Sequence, residues 1–123
     1  MIQEGLTHTS ELKVNEAVTA IAMGSGDLPV LATPAMMALM ENAAMLAVAP
    51  HLPEGSTTVG GHISASHIKP SCVGDIITAT ATVIKVDGKK IEFEVKAHCG
   101  DTLLGEGTHL RFIVDREKFM SRL

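Results

Sequence analysis

Between Thr33 and Pro50 the chain reads TPAMMALMENAAMLAVAP, and Glu41 is the only charged side chain in that stretch. The residues are strong helix formers, and Thr33 at an N-cap with Pro34 at the first helical position gives the segment a clear start. Pro50 and Pro53 close it, with Glu54-Gly55 as the exit turn. Most helices of a small domain keep a wet face. This one is apolar nearly all round, so it should be buried or wrapped. A carboxylate in such surroundings is costly unless it is paired, hydrogen-bonded or protonated. Glu41 is therefore the first candidate for chemistry. The competing reading is a rim glutamate that reaches water past small alanines.

With 123 residues the chain can build one domain, spanning 1–123, and not two. It has no Trp or Tyr and only three Phe, so its core must come from Ala, Val, Ile, Leu and Met. The scarcity of aromatics and the formal charge of −4 argue against a nucleic-acid binder. The one long apolar run is interrupted by Glu41, which argues against a membrane span. The segment MIQEGLTHTSELKV lacks the basic start and apolar block of a signal peptide, so a cytoplasmic protein is the expectation. Cys72 and Cys99 are too few and too far apart for a zinc motif and read as reduced thiols.

A first strand is expected over Leu6–Val14, and Asn15–Met23 is ambiguous between a short strand and a turn. Gly24-Ser25-Gly26-Asp27-Leu28-Pro29 is a breaker-rich loop. After the helix the pattern changes to period two. Strands are expected near Ser56–Lys69, Asp75–Val86, Lys90–Cys99 and Leu103–Val114. Asp87-Gly88 and Cys99-Gly100-Asp101 supply turns, and a short helical turn follows Asp115. The plan is α+β: one antiparallel sheet, its last four strands in meander order, curled around one main helix.

Three separated segments carry a family resemblance: GSGDLPVLATPAMMALMENAA, EGSTTVGGHISASHIKPSCVGD and GEGTHLRFIVDREKF. In this order they resemble the fluoroacetyl-CoA-thioesterase-like branch of hotdog-fold thioesterases, and they span most of the chain. The resemblance implies a hotdog fold, a curled five-stranded antiparallel sheet wrapped around one long helix. It implies a catalytic set of Thr33, Glu41 and His67, with Gly60 and its neighbour Gly61 lying against the substrate and Arg111 in the GTH-x-R segment. It also implies an acyl-CoA substrate and sites at a homodimer interface. In one respect the chain departs from the branch: no phenylalanine precedes the helix to close the pocket.

The chemistry of these side chains points the same way. Thioester hydrolysis needs an activated nucleophile, a polarised carbonyl and a route for protons. A desolvated carboxylate at Glu41 can attack the thioester or activate water. The first amides of the helix offer donors to a developing oxyanion. His67 can exchange protons near neutrality. Coenzyme A is a good leaving group as its thiolate, and no metal or other cofactor is required. The bland readings are a structural cap for Thr33, a core or rim histidine for His67, and a simple bulge for Gly60-Gly61. Met36, Met37, Met40 and Met45 read as core filling, and Lys69, Lys89, Lys90 and Arg116 as solvated charges. His62 and His109 lie in the matching segments without a derivable role. Two other functions stay open, a non-catalytic acyl-CoA-binding hotdog module and a hotdog dehydratase.

Thr33 and Glu41 are eight residues apart, a rise of about 12 Å along a helix. Their short side chains cannot close that gap. If both serve one reaction centre, they come from different subunits, which makes a homodimer with two shared sites, or a higher homo-oligomer, the expected assembly.

Overall fold

The computed structural model describes all residues from Met1 to Leu123. Strand β1 (Thr7–Lys13) is followed by a 3₁₀ turn (Glu16–Val18) and a short helix α1 (Ala20–Met23). The long helix α2 (Thr33–Val48) runs into a second 3₁₀ turn (Ala49–His51). Then come β2 (Ser56–His67), β3 (Ile76–Asp87), β4 (Lys90–Cys99), β5 (Thr102–Asp115) and the terminal helix α3 (Arg116–Ser121). The ambiguous segment after β1 is helical rather than extended. Asn15 and Thr19 each cap a turn there, with side-chain oxygens accepting from the amides of Ala17 and Ala22.

All five strands form one antiparallel sheet in the order β1-β3-β4-β5-β2. This corrects the expected four-strand meander. β3, β4 and β5 do follow one another through tight turns, but β2 pairs with β5 and lies at the far edge. The physical reason is in the link between β2 and β3, residues 68–75. It contains Pro70 and Gly74 (φ 99°), and it is tied to the loop before α2 by Leu31 donating to the Ser71 carbonyl at 2.9 Å. That link carries the chain across the sheet instead of folding it back as a hairpin.

Alternation then builds the floor under the helix. Ile77, Ala79, Ala81 and Val83 of β3 and Ile91, Phe93, Val95 and Ala97 of β4 are buried. The intervening threonines of β3 turn outward, where Thr80 and Thr82 pair with the hydroxyls of Thr9 and Thr7 at 2.7 and 3.1 Å. Helix α2 lays Ala35, Met36, Met40, Ala43, Ala44, Ala47 and Val48 onto this floor. Burying a side chain the size of Met40 stabilises by about 1.5–3 kcal/mol. Small residues on both surfaces bring helix and sheet close. Gly105 is part of that fit, since a Cβ there would stand 2.7 Å from Met36 Sδ.

The wrapping is one-sided. Thr33, Pro34, Ala38, Asn42 and Leu46 of α2 are exposed, and Met37, Glu41 and Met45 are half-buried. Within one chain the helix is covered by the sheet on one face and open along a largely apolar stripe on the other. No helix is long and apolar enough to cross a membrane.

Candidate active site

Gly60 and His67 are an odd number of residues apart, so a regular strand would turn them to opposite faces. A bulge between Gly60 and His62 shifts the register of β2 against β5 and removes the conflict. Before the bulge Thr58 and Gly60 oppose Ile113 and Arg111. After it Ile63, Ala65 and His67 oppose His109, Gly107 and Gly105. All of these residues face the helix.

At the start of α2, Thr33 Oγ1 and His67 Nδ1 lie 2.8 Å apart. The expected N-cap role of Thr33 is thereby corrected. Ala32 occupies the cap position without a side-chain hydrogen bond, and Pro34 falls one place later than expected. The Thr33 hydroxyl engages the histidine instead of the helix amides. Of those amides, Ala35 and Met36 donate to the Ala32 carbonyl at 3.0 and 3.1 Å, and Pro34 has none. The first turn therefore offers fewer free donors than the sequence suggests. Burial pushes His67 below the ordinary imidazole value of 6.5, opposed by the backbone of Lys69. Its Nε2 is buried without a hydrogen-bond partner. Thr33 and His67 line a cleft of about 290 Å³ together with Ala20, Ser25, Leu31 and Lys69.

Two turns further along α2, Glu41 faces a second group. Its Oε2 stands 3.9 Å from Arg111 Nη1 and 3.9 Å from His109 Nε2. Gly60 makes this approach feasible: a Cβ at that position would lie 2.8 Å from Glu41 Oε2. Arg111 is held by Thr58, with Nε donating to its hydroxyl at 2.9 Å and Nη2 to its carbonyl at 3.0 Å. Burial pushes the guanidinium below its ordinary value, and the Glu41 carboxylate pulls the other way. The expected desolvated carboxylate is not realised within one chain, because the Glu41 side chain is 41% exposed on the open stripe of the helix.

Thus the structure brings Thr33 to His67 and Glu41 to Gly60 and Arg111, as two separate groups. Gly61 looks elsewhere, since a Cβ there would press into the Phe112 ring on the outer face of β5. Two members of the Glu41 group, His109 and Thr58, escape sequence reasoning. The signal for His109 was its spacing of two from Arg111, which puts both on one face of a strand. Thr58 carried no signal, because its partnership with Arg111 depends on the β2–β5 register.

A family model described as fluoroacetyl-CoA-specific thioesterase matches residues 14–117. The chain belongs to this family. It is 36% identical over 94 residues to the fluoroacetyl-CoA thioesterase of Streptantibioticus cattleyicolor, covering 76% of this chain and 68% of that one. The structure resembles that of the fluoroacetyl-CoA thioesterase FlK with a TM-score of 0.93 at 30% identity, over 99% of this chain and 95% of that one. A mutant of FlK in complex with acetyl-CoA gives a TM-score of 0.92 at 29% identity, over 98% and 96% of the two chains. A thioesterase superfamily member from Thermus thermophilus gives 0.91 at 27% identity, over 99% and 90%. The fold is the hotdog fold that the sequence motifs imply.

The glycine against Glu41 yields a direct prediction. Gly60→Ala should displace the Glu41 carboxylate while leaving the strand paired. If Glu41 is a reacting group, misplacing it by about 1 Å should cost activity on the order of 10²-fold, with little change in melting temperature. Steady-state kinetics and thermal unfolding of the variant check this; unchanged turnover would remove Gly60 from the site.

Proposed function

We propose that the protein hydrolyses an acyl-CoA thioester to the free acid and coenzyme A. The observation that carries this reading is the Glu41 carboxylate set against the side-chain-free Gly60 and 3.9 Å from Arg111, in a family of thioesterases. Glu41 acts as nucleophile on the thioester carbonyl or as the base that takes a proton from attacking water. In either case the carbon–sulfur bond breaks, the electron pair leaves with sulfur, and water supplies the oxygen of the acid. His67 moves protons between water, Thr33 and the departing thiolate. Thr33 positions or polarises the thioester. Gly60 and Arg111 line the acyl end, and Gly61 serves by permitting the bulge. Lys69 at the mouth of the Thr33–His67 cleft suits the coenzyme A phosphates. A cytoplasmic location fits such a substrate.

The two groups work as one site if a second copy supplies the missing half. Strand β2 supports that reading. It is an edge strand whose residues 56–67 include no Lys, Arg, Asp, Glu or Pro, whereas the opposite edge, β1, carries Glu11 and Lys13. Charges and prolines are the usual guards of a free edge, and β2 has none. Pairing two copies of β2 antiparallel about a two-fold at Ser64, with the bulge at Gly61 retained, sets His67 opposite the partner's Gly60. Thr33 and His67 then stand beside the partner's Glu41, and the open stripe of α2 is covered. We therefore infer a homodimer with two shared sites.

The test is incubation with a panel of short and medium acyl-CoAs and detection of free thiol. Hydrolysis of at least one member is expected. Binding without thiol release would support a non-catalytic acyl-CoA module, and hydration or dehydration of an acyl chain without thiol release would support a dehydratase.

A further inference from the structure

His109 is only 2% exposed, yet its Nε2 lies 3.2 Å from Arg111 Nη1 and 3.9 Å from Glu41 Oε2, beside both charged residues of the Glu41 group. Its partners define its state. Nδ1 lies 2.7 Å from the His62 carbonyl, which can only accept, so Nδ1 carries a proton. Nε2 lies 3.2 Å from Arg111 Nη1, which can only donate, so Nε2 presents its lone pair. The ring is the neutral Nδ1–H tautomer, and its 3.9 Å separation from Glu41 is not an ion pair.

We propose that His109 is a positioning residue that holds the Arg111 guanidinium in the orientation that faces Glu41. The proposal rests on Glu41 being the reactive carboxylate. Arg111 is pinned on three sides by neutral acceptors, the Thr58 hydroxyl, the Thr58 carbonyl and His109 Nε2. None of them cancels its charge. Were the third acceptor a carboxylate, the guanidinium would be spent on it. With a neutral imidazole there, the field of a cation that is 8% exposed is left to Glu41 and to charge developing beside it. The ring plane is itself fixed by stacking on Phe93, with centroids 6.0 Å apart. Burial pushes His109 below 6.5 and Arg111 adds to this, while the His62 carbonyl and Glu41 oppose it, so the neutral form is the one favoured near pH 7.

Three variants and one spectrum test the proposal. His109→Phe keeps the ring and its stacking but removes both hydrogen bonds, and should lower kcat about tenfold or more with a smaller change in KM. His109→Gln restores an acceptor for Arg111 and should recover most of that loss. In an Arg111→Gln background, His109→Phe should cost little further, because the two act as a unit. Full activity in His109→Phe, equal impairment in the Phe and Gln variants, or losses that add to those of Arg111→Gln would overturn the proposal. Nitrogen NMR of the unaltered protein labelled at histidine should show His109 as the Nδ1–H tautomer at neutral pH. An imidazolium or the Nε2–H tautomer there would also overturn it. That spectrum reads the tautomer whether or not Glu41 proves to be the reactive group, so failure of the hydrolase reading and failure of this one are separable.

Discussion

Glu41→Gln should lower kcat/KM on any acyl-CoA the protein hydrolyses by about 10²–10⁴-fold, the usual contribution of a group that attacks or moves a proton. The substitution preserves size and one oxygen but removes the negative charge, and an amide is neither a competent nucleophile toward a thioester nor a base. The fold should hold. Glu41 is 41% exposed, and its one ion-pair contact, 3.9 Å from Arg111 Nη1, has no hydrogen bond. Such a partly solvated contact contributes on the order of 1 kcal/mol or less to stability. Kinetics and circular dichroism of the purified variant check both halves. A folded Glu41→Gln protein with full activity would remove the carboxylate from the mechanism.

His67→Ala should cost about 10²-fold in kcat if the imidazole transfers protons. The pH dependence carries a sign. Burial lowers the His67 value from 6.5, so the ring stays neutral at pH 7 and remains neutral as the pH falls through 6.5. If the neutral ring accepts a proton in the rate-limiting step, wild-type activity persists below pH 6.5 and declines only at more acid pH. His67→Ala should abolish that decline along with most of the rate. The same lowering makes the unfolded chain bind protons first on acidification, so the fold is at full stability above pH 6.5 and loses some below it. A loss of activity under about threefold would leave His67 a packing residue.

Much of this was legible in the residues. The apolar stretch with a lone Glu41 sets the long helix against the sheet, and strict alternation from Thr78 to Val83 gives β3 its two faces. The family motifs pick out Thr33, His67, Gly60 and Arg111, which the fold places in two groups on the concave side. What the sequence hid depends on pairing that is not local. Nothing in SASHIKPSCVGDII announces that β2 joins β5, and the Thr58–Arg111 and Gly60–Glu41 contacts follow from that register. Thr33 has every mark of an N-cap, yet its hydroxyl is taken by His67, 34 positions away in the chain. Glu41 is less buried than its apolar neighbours suggest, because the sheet of its own chain covers only one face of the helix. The exposed stripe from Pro34 to Leu46 is better accounted for by a second copy.

The central claim, a site built from Thr33 and His67 of one protomer and Glu41 of another, is tested by subunit mixing. Thr33→Ala and Glu41→Gln proteins should each be severely impaired alone. After equal amounts are exchanged, random pairing makes about half of the dimers mixed, and each mixed dimer has one intact site and one carrying both substitutions. The mixture should therefore regain about one quarter of wild-type activity. A mixture no more active than the sum of its two parents, under conditions where exchange is shown by mass, or a fully active monomer by light scattering, would contradict the shared site.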